Sequence, residues 1–579
     1  MGKRKSLFLS MIFLGAGVAA AQTPTADQTQ PPPSSSAAEA PVTTVSQAID
    51  HITAREHDEI AVIRHYTPII ETYIQEMKPD KDMGAIPERD HYFLGQADLS
   101  KGVVDNSMLA SKKGKLDELN PIAHLEGYFT SSYVPEGFLQ MVYIDMNGLD
   151  REHYQFDYVR REFLGDVRCV VFDVTPLPKS GKGRFKGRIW AEDQNYAIVR
   201  FNGVYTPVAQ INGLNLHFDS WRLNLGPGLW LPAFIFSQES DLHDFLGNHV
   251  HFKSQTRLWG YDLKSANHQE EFSELTIESP NVVQDQASGQ QQDRSPIEAE
   301  REWQHQAETN VVDRLQRNGL LAPPGEVDKV LETVINNLEV TNNIDIEPEV
   351  HCRVLLTGTL ESFSIGHTIV LSRGLLDVLP DEASLATMLA QELANIIVTK
   401  PSTDQWGFND TTNVSTVEAL SHFSFRDSPN QLQVASQKAV ELLKNSPYKD
   451  KLGSAGLFLK ELDAESKSLR ALINPHLGNR VFEYNALISS APALEPDKLD
   501  QIAALPIGAR VKLDPWSDRV ELLHAKPVPL LSAREKMPFE VTPFMPYLTR
   551  YQPPGGSSAD PTKADLAKQQ QEQQEQQPR

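Results

Sequence analysis

The residues with the clearest chemical content lie in one short run, Gln391-Glu392-Leu393-Ala394-Asn395. At about 100° per residue on a helix, Glu392 falls at the centre of the arc that carries Leu385, Met388, Leu389 and Ile396. A carboxylate in the middle of an apolar face costs free energy unless hydrogen bonds hold it. Gln391 and Asn395, one turn apart beside it, carry amide N–H groups able to supply such bonds. Taken alone, the run also fits an ordinary amphipathic helix with a snorkelling Glu. Other chemistries have less behind them. His351, His367, His422 and His476 share the region without forming a recognised ligand pair. Gly181-Lys182-Gly183-Arg184 lacks the spacing of a phosphate loop, and no Gly-x-Ser-x-Gly elbow occurs. Cys169 and Cys352 lie far apart and make neither a disulfide framework nor a metal knuckle, so each reads as a buried apolar residue.

These groups need elements to position them. A helix is predicted over residues 381–398, with Asp381 and Glu382 suited to its positive N-terminal end. Apolar residues at helical spacing mark 298–318 and 326–338, residues 350–356 read as a strand, and 362–376 contain a second strand pair. Upstream, a helical stretch over 44–77 gives way to β-rich runs at 139–144, 168–174, 188–192, 196–201, 221–225, 234–237 and 250–258. Gly, Pro, Asn and Asp separate these runs, the signature of a mainly antiparallel sheet. The fold class is α+β: a mainly antiparallel β-domain, with a half-barrel as one form it can take, followed by a second α+β domain.

Biased segments divide the chain. Lys3, Arg4 and Lys5, an apolar run over 7–21 and Ala19-Ala20-Ala21 read as a secretory signal over 1–21. The run of 15 residues is short for a bilayer, which needs roughly 20, and no later stretch is apolar enough to span one. Residues 22–43 and 284–296 read as linkers, and 552–579 as a disordered Gln-rich tail. That leaves a β-rich domain with its helical lead-in over 44–283, a second domain over 297–482, and a small appended module over 483–551. The formal net charge of −23 repels phosphate backbones, which argues against nucleic acid as a partner.

The order of segments in the second domain carries a resemblance. Val354-Leu355-Leu356, Ser362-Phe363-Ser364-Ile365-Gly366 and Ile369-Val370-Leu371-Ser372-Arg373-Gly374 precede Asp381-Glu382 and the 391–395 run. Val434-Ala435-Ser436-Gln437 and then Asn474-Pro475-His476 follow. Together they resemble the zinc endopeptidase family of the CAAX prenyl protease and HtpX (peptidase family M forty-eight) over about 298–482. The resemblance implies two His ligands at i and i+4, a downstream Glu ligand, and a general-base Glu between the His residues. In this chain the His positions are Gln391 and Asn395, the third-ligand position is Val434, and the His of the family's His-Pro segment is Asn474. Only the base, Glu392, remains. Carboxamide oxygens are weak neutral donors to Zn²⁺ and an alkyl group is none, so no metal and no other cofactor is expected. The implied pocket brings Gln391, Glu392 and Asn395 together, with Val434 and Asn474 lining it.

The helical lead-in and long strands, particularly Gly187-Arg188-Ile189-Trp190 and Ala197-Ile198-Val199-Arg200, resemble the LolA-like lipoprotein-carrier fold over about 90–262. The reading that follows is an exported periplasmic or extracellular protein with a pseudopeptidase domain that binds or chaperones envelope polypeptides. An extended chain would add as a strand beside residues 369–372. Two alternatives stand beside it: an active zinc endopeptidase with displaced ligands, and a carrier of lipid or lipoprotein through the β-domain. Oligomeric state is not legible.

Overall fold

Thr44 starts the first helix, α1 (Val45–Ile63), with a capping box: its hydroxyl accepts the Gln47 N–H, and the Gln47 side chain accepts the Thr44 N–H at 3.1 Å. The structure is a computed structural model, and it describes residues 44–80, 84–100, 102–104, 135–146, 148–206, 216–239, 251–261, 296–398, 424–474, 477–492, 511–514, 519–522 and 541–552. The expected signal segment, the 22–43 linker, the 284–296 linker up to residue 295, His422, His476 and the tail beyond 552 lie outside the described residues.

Three strands follow α1: β1 (Ile69–Asp80), β2 (Gly84–Asp98) and β3 (Gly102–Val104). After a short helix, α2 (Pro135–Gln140), come β4 (Tyr154–Leu164), β5 (Val167–Pro176), β6 (Arg184–Glu192), β7 (Ile198–Thr206), β8 (Leu216–Gly226), β9 (Leu229–Glu239) and β10 (His251–Trp259). They form one ten-stranded antiparallel sheet in the order β3-β2-β1-β10-β9-β8-β7-β6-β5-β4. The ends of that order, β3 and β4, do not pair with each other, so the sheet is open. One face carries Ile74, Phe172, Phe185, Ile189, Phe201, Phe218, Ile235 and Phe252, and is roofed by α1, by residues 138–144 and by Leu149. The other carries Trp190, Trp221, Trp230, Phe234 and Phe236.

Two sequence expectations fail here. The helical lead-in ends at Ile63 rather than residue 77, because 69–80 is strand β1. Ile69, Ile70, Tyr73, Ile74 and Met77 recur at helical spacing, but both faces of β1 are covered, so the period-2 signal is lost. Residues 139–144 are not a strand: α2 ends at Gln140, and Met141, Val142, Tyr143 and Ile144 are all buried in the roof.

The second module contains α3 (Pro296–Arg317), α4 (Glu326–Asn342), β11 (His351–Leu355), β12 (Glu361–Ile365), β13 (Thr368–Ser372) and α5 (Arg373–Val378). It continues with α6 (Glu382–Val398), α7 (Pro429–Lys444), α8 (Leu452–Glu465), α9 (Arg470–Ile473), β14 (Asn479–Arg480) and α10 (Asn485–Ser489). Its sheet has the order β11-β13-β12-β14. Residues 369–372 therefore lie inside the sheet, with β11 parallel on one side and β12 antiparallel on the other. The edge expected there for strand addition does not exist. The outer side of β11 is also occupied, by Ala322 N–H to the Val354 carbonyl (2.8 Å) and Leu356 N–H to the Leu320 carbonyl (2.7 Å).

The two modules share a core. Ile69 and Leu94 of the large sheet pack with Val311, Leu315, Leu355, Phe363 and Val370. Asp90 of β2 accepts the Ala471 and Leu472 N–H groups, each at 2.8 Å, and the Trp259 indole donates to the Gly319 carbonyl at 2.7 Å. The stretch 541–552 then returns to the first module: Leu548 is fully buried against Gly165, Asp166 N–H bonds its carbonyl at 2.8 Å, and Arg550 pairs with Glu192 at 2.7 Å. Of the expected appended module over 483–551, the described residues include an antiparallel strand pair, β15 (Val511–Asp514) and β16 (Arg519–Leu522), and this returning stretch. No helix among the described residues is long and apolar enough to cross a membrane.

Candidate functional site

Helix α6 is the centre of the second module. Asp381 caps it by accepting the Ser384 N–H (2.8 Å) and hydroxyl (2.7 Å), as its place before the helix predicts. From Ala386 to Asn395 every residue of α6 is buried, because α7, α8, α4 and the sheet surround it. Glu392 is consequently sealed from water. Its Oε1 accepts the Ser362 hydroxyl at 2.7 Å and the Tyr484 hydroxyl at 3.0 Å, and its Oε2 accepts Asn395 Nδ2 at 3.0 Å. Burial pushes the Glu392 carboxyl up to about 7, the nearby Asp427 charge adds to this, and the three hydrogen bonds oppose it. Asp427, itself raised by burial, is bracketed by Asn479, which donates from Nδ2 at 2.8 Å and accepts the Asp427 N–H at 2.9 Å.

Of the two expected donors, Asn395 bonds Glu392 and Gln391 does not. Residues three apart share a helix face, whereas adjacent residues point about 100° apart. Gln391 is fully buried, and both of its amide atoms are without a protein partner, as are Asn395 Oδ1 and Ser436 Oγ of α7. Val434 is a correction. It is 47% exposed, and the inward positions of α7 are Leu432, Ala435, Ser436 and Ala439. The helix phase turns it away from α6. Asn474 is half-buried at the end of α9 and makes none of the bonds to Glu392. In place of these two, the sequence reading missed Ser362, Tyr484, Asp427 and Asn479. Ser362 was legible as part of a strand, but nothing in its spacing points to a residue on α6.

The donor set does not fit zinc. Gln391 and Asn395 offer carboxamides, and Val434 offers neither a donor atom nor the right direction. A glutamate with its pKa near 7 has the acidity of a general base, yet Glu392, Ser362 and Tyr484 are all closed off from solvent. Three hydrogen bonds hold the Glu392 carboxylate in the core, beside buried amide and hydroxyl groups of Gln391, Asn395 and Ser436 that are without a protein partner. The triple variant Gln391→His/Asn395→His/Val434→Glu is expected to hold no more zinc after equilibrium dialysis than the unsubstituted chain, because the carboxylate introduced at 434 faces solvent. One equivalent beyond that of the unsubstituted chain would show that α7 can bring position 434 to the pocket.

No protein-family model matches the chain, and no curated protein matches it. Among solved structures it is similar to a LolA superfamily protein from Nitrosomonas europaea, at 12% identity and a TM-score of 0.19, over 38% of this chain and 93% of that one. It is also similar to a putative outer membrane lipoprotein-sorting protein domain from Vibrio parahaemolyticus (11% identity, TM-score 0.18, 37% of this chain and 92% of that one). A DUF1329 family protein from Desulfovibrio piger is a third (8%, 0.16, 40% and 98%).

Proposed function

We propose that the chain is an exported, non-catalytic carrier whose first module takes the acyl part of a lipid or lipoprotein on the roofed face of the large sheet. In this reading the second module is a metallopeptidase-like scaffold. The run of β11, β12, β13, α6 and α7 agrees in order with the segments of the zinc endopeptidase resemblance, and the donors at 391, 395 and 434 support its being inactive.

One observation carries the carrier reading: the roof over an apolar sheet face is pinned by buried ion pairs. Glu56 of α1 receives both Arg222 guanidinium nitrogens, at 2.7 and 2.8 Å, with both side chains fully buried. Glu59 accepts the Trp230 N–H at 3.0 Å, and Asp145 in the other roof segment receives Arg184 at 2.5 Å. A buried pair adds little net stability, because its attraction only offsets the lost hydration of two charges. It does fix one seating. Lifting the roof lets water back to the two charges, so the pair fixes the seating and itself adds little to the cost of opening. An acyl chain against the sheet then restores the apolar contact that Ile49, Ile52, Ile60 and Ile63 give up.

The test is titration of the full chain with a fluorescent fatty acid, alongside mass spectrometry of organic extracts of the purified protein. Saturable binding, competed by phospholipid, is expected. The double variant Glu56→Leu/Arg222→Met, which holds the roof by apolar contact, should take up probe more weakly. Absence of both saturable binding and co-purified lipid would sink the carrier reading.

A further inference from the structure

We propose that His305, Glu308 and His367 form a surface site for a divalent transition metal of the zinc class. His305 and Glu308 stand one turn apart on α3, and His367 sits in the turn between β12 and β13. Glu308 Oε2 lies 3.5 Å from His367 Nδ1 and 4.0 Å from His305 Nδ1, and the three donor atoms are all within 4.8 Å of one another. A tetrahedral ion with bonds of about 2.0–2.1 Å places its donors about 3.4 Å apart. Small side-chain rotations close that gap.

Two further observations point to a ligand. His367 Nδ1 is hidden from solvent, yet no protein group hydrogen-bonds it. The residue before it, Gly366, has φ +55°, and a Cβ there would overlap the Glu308 carboxylate. The glycine therefore gives the turn its left-handed backbone and leaves the space in which the carboxylate meets His367. Two imidazole nitrogens and one carboxylate oxygen suit Zn²⁺ and its transition-metal neighbours better than Mg²⁺ or Ca²⁺, which prefer all-oxygen shells. His305 is 56% exposed, so the fourth position opens to solvent. A bound ion would cross-link α3, which contributes Val311 and Leu315 to the core shared by the two modules, to the β12–β13 turn. This site is separate from Glu392, and its test is independent of the carrier reading.

Equilibrium dialysis of the full chain against micromolar Zn²⁺, with metal counted by mass spectrometry, should find one equivalent. His305→Ala, His367→Ala and Glu308→Gln should each weaken binding by at least about tenfold, the loss typical even of a ligand's supporting partner. His351→Ala removes a nearby exposed imidazole, 3.5 Å from Glu332, and should leave binding unchanged. Cobalt(II) should report the same site through a visible absorption band that is lost in His367→Ala. No bound metal at micromolar concentration, or one equivalent that survives His367→Ala, would overturn the proposal.

Discussion

Replacing Glu56 by alanine is expected to destabilise the protein by about 3–5 kcal/mol, the cost of leaving a buried charge without its partner. Arg222 is fully buried, and besides Glu56 it reaches the Ile198 carbonyl at 3.3 Å. Its charge is not shed: burial is the largest single influence and favours the neutral form, but Glu56 and the neighbouring Glu59 together outweigh it and hold the guanidinium above its ordinary pKa. Removing Glu56 thus leaves a cation in a nearly dry interior. Urea unfolding measures the loss as a shifted midpoint. The Glu56→Leu/Arg222→Met double variant removes both charges and should recover most of it. If the double variant is as unstable as Glu56→Ala, the loss comes from packing and the pair does not act as a unit. Recovered stability together with weaker acyl uptake is the combination that the pinned roof predicts.

The second large effect is a stability that falls as pH rises toward 8. The Glu392 carboxyl stands at about 7 in the folded chain against an ordinary 4.5, so the folded state binds this proton more tightly than the unfolded one. Its contribution is complete below about pH 4.5 and is lost as pH passes through 7. Between pH 5.5 and 8 the change is about 2 kcal/mol, at 1.36 kcal/mol per pKa unit. Glu461 on α8, pushed up to about 9 by burial and by Glu465, acts with the same sign across the same range and on to about pH 9. Glu392→Gln should flatten its share of the slope. The new amide can still accept from Ser362 or Tyr484, and it can donate to Asn395 Oδ1, which has no partner in the native protein. The quantity to follow is the difference in unfolding free energy between the two proteins across that pH range. A difference that does not change with pH would mean that Glu392 is ionised in the fold at an ordinary pKa.

Sequence patterning did well where elements are strongly apolar and bounded by turn residues. The strands expected at 168–174 and 188–192 fall within β5 and β6, the strand expected at 250–258 overlaps β10 from residue 251, and the helix expected over 381–398 contains α6. Periodicity weakened at the sheet margins. Strand β4, an edge with a register shift between Tyr158 and Arg160, is half-exposed along most of its length and carries Arg160, Arg161 and Glu162, so it has no clean alternation. In β1 the same signal misled, since Glu71, Thr72 and Gln75 are buried polar groups satisfied by neighbours on other elements.

The amino-acid sequence by itself determined that Glu392 lies on an apolar helix face and must find hydrogen bonds there, and that Asn395, three residues on, can supply one. It also determined that the 391, 395 and 434 side chains are poor zinc donors, because that is a property of residue type. Tertiary structure decided everything that depends on what covers a face. Ser362 comes from 30 residues before Glu392 and Tyr484 from 92 after it. It also turned Val434 outward, put residues 369–372 inside a sheet, and joined the two modules through Glu71, Asp90 and Trp259. Local spacing records whether a side chain will be buried, through the free energy of removing it from water. Which distant residue it meets depends on how whole elements pack, and no spacing along one element contains that.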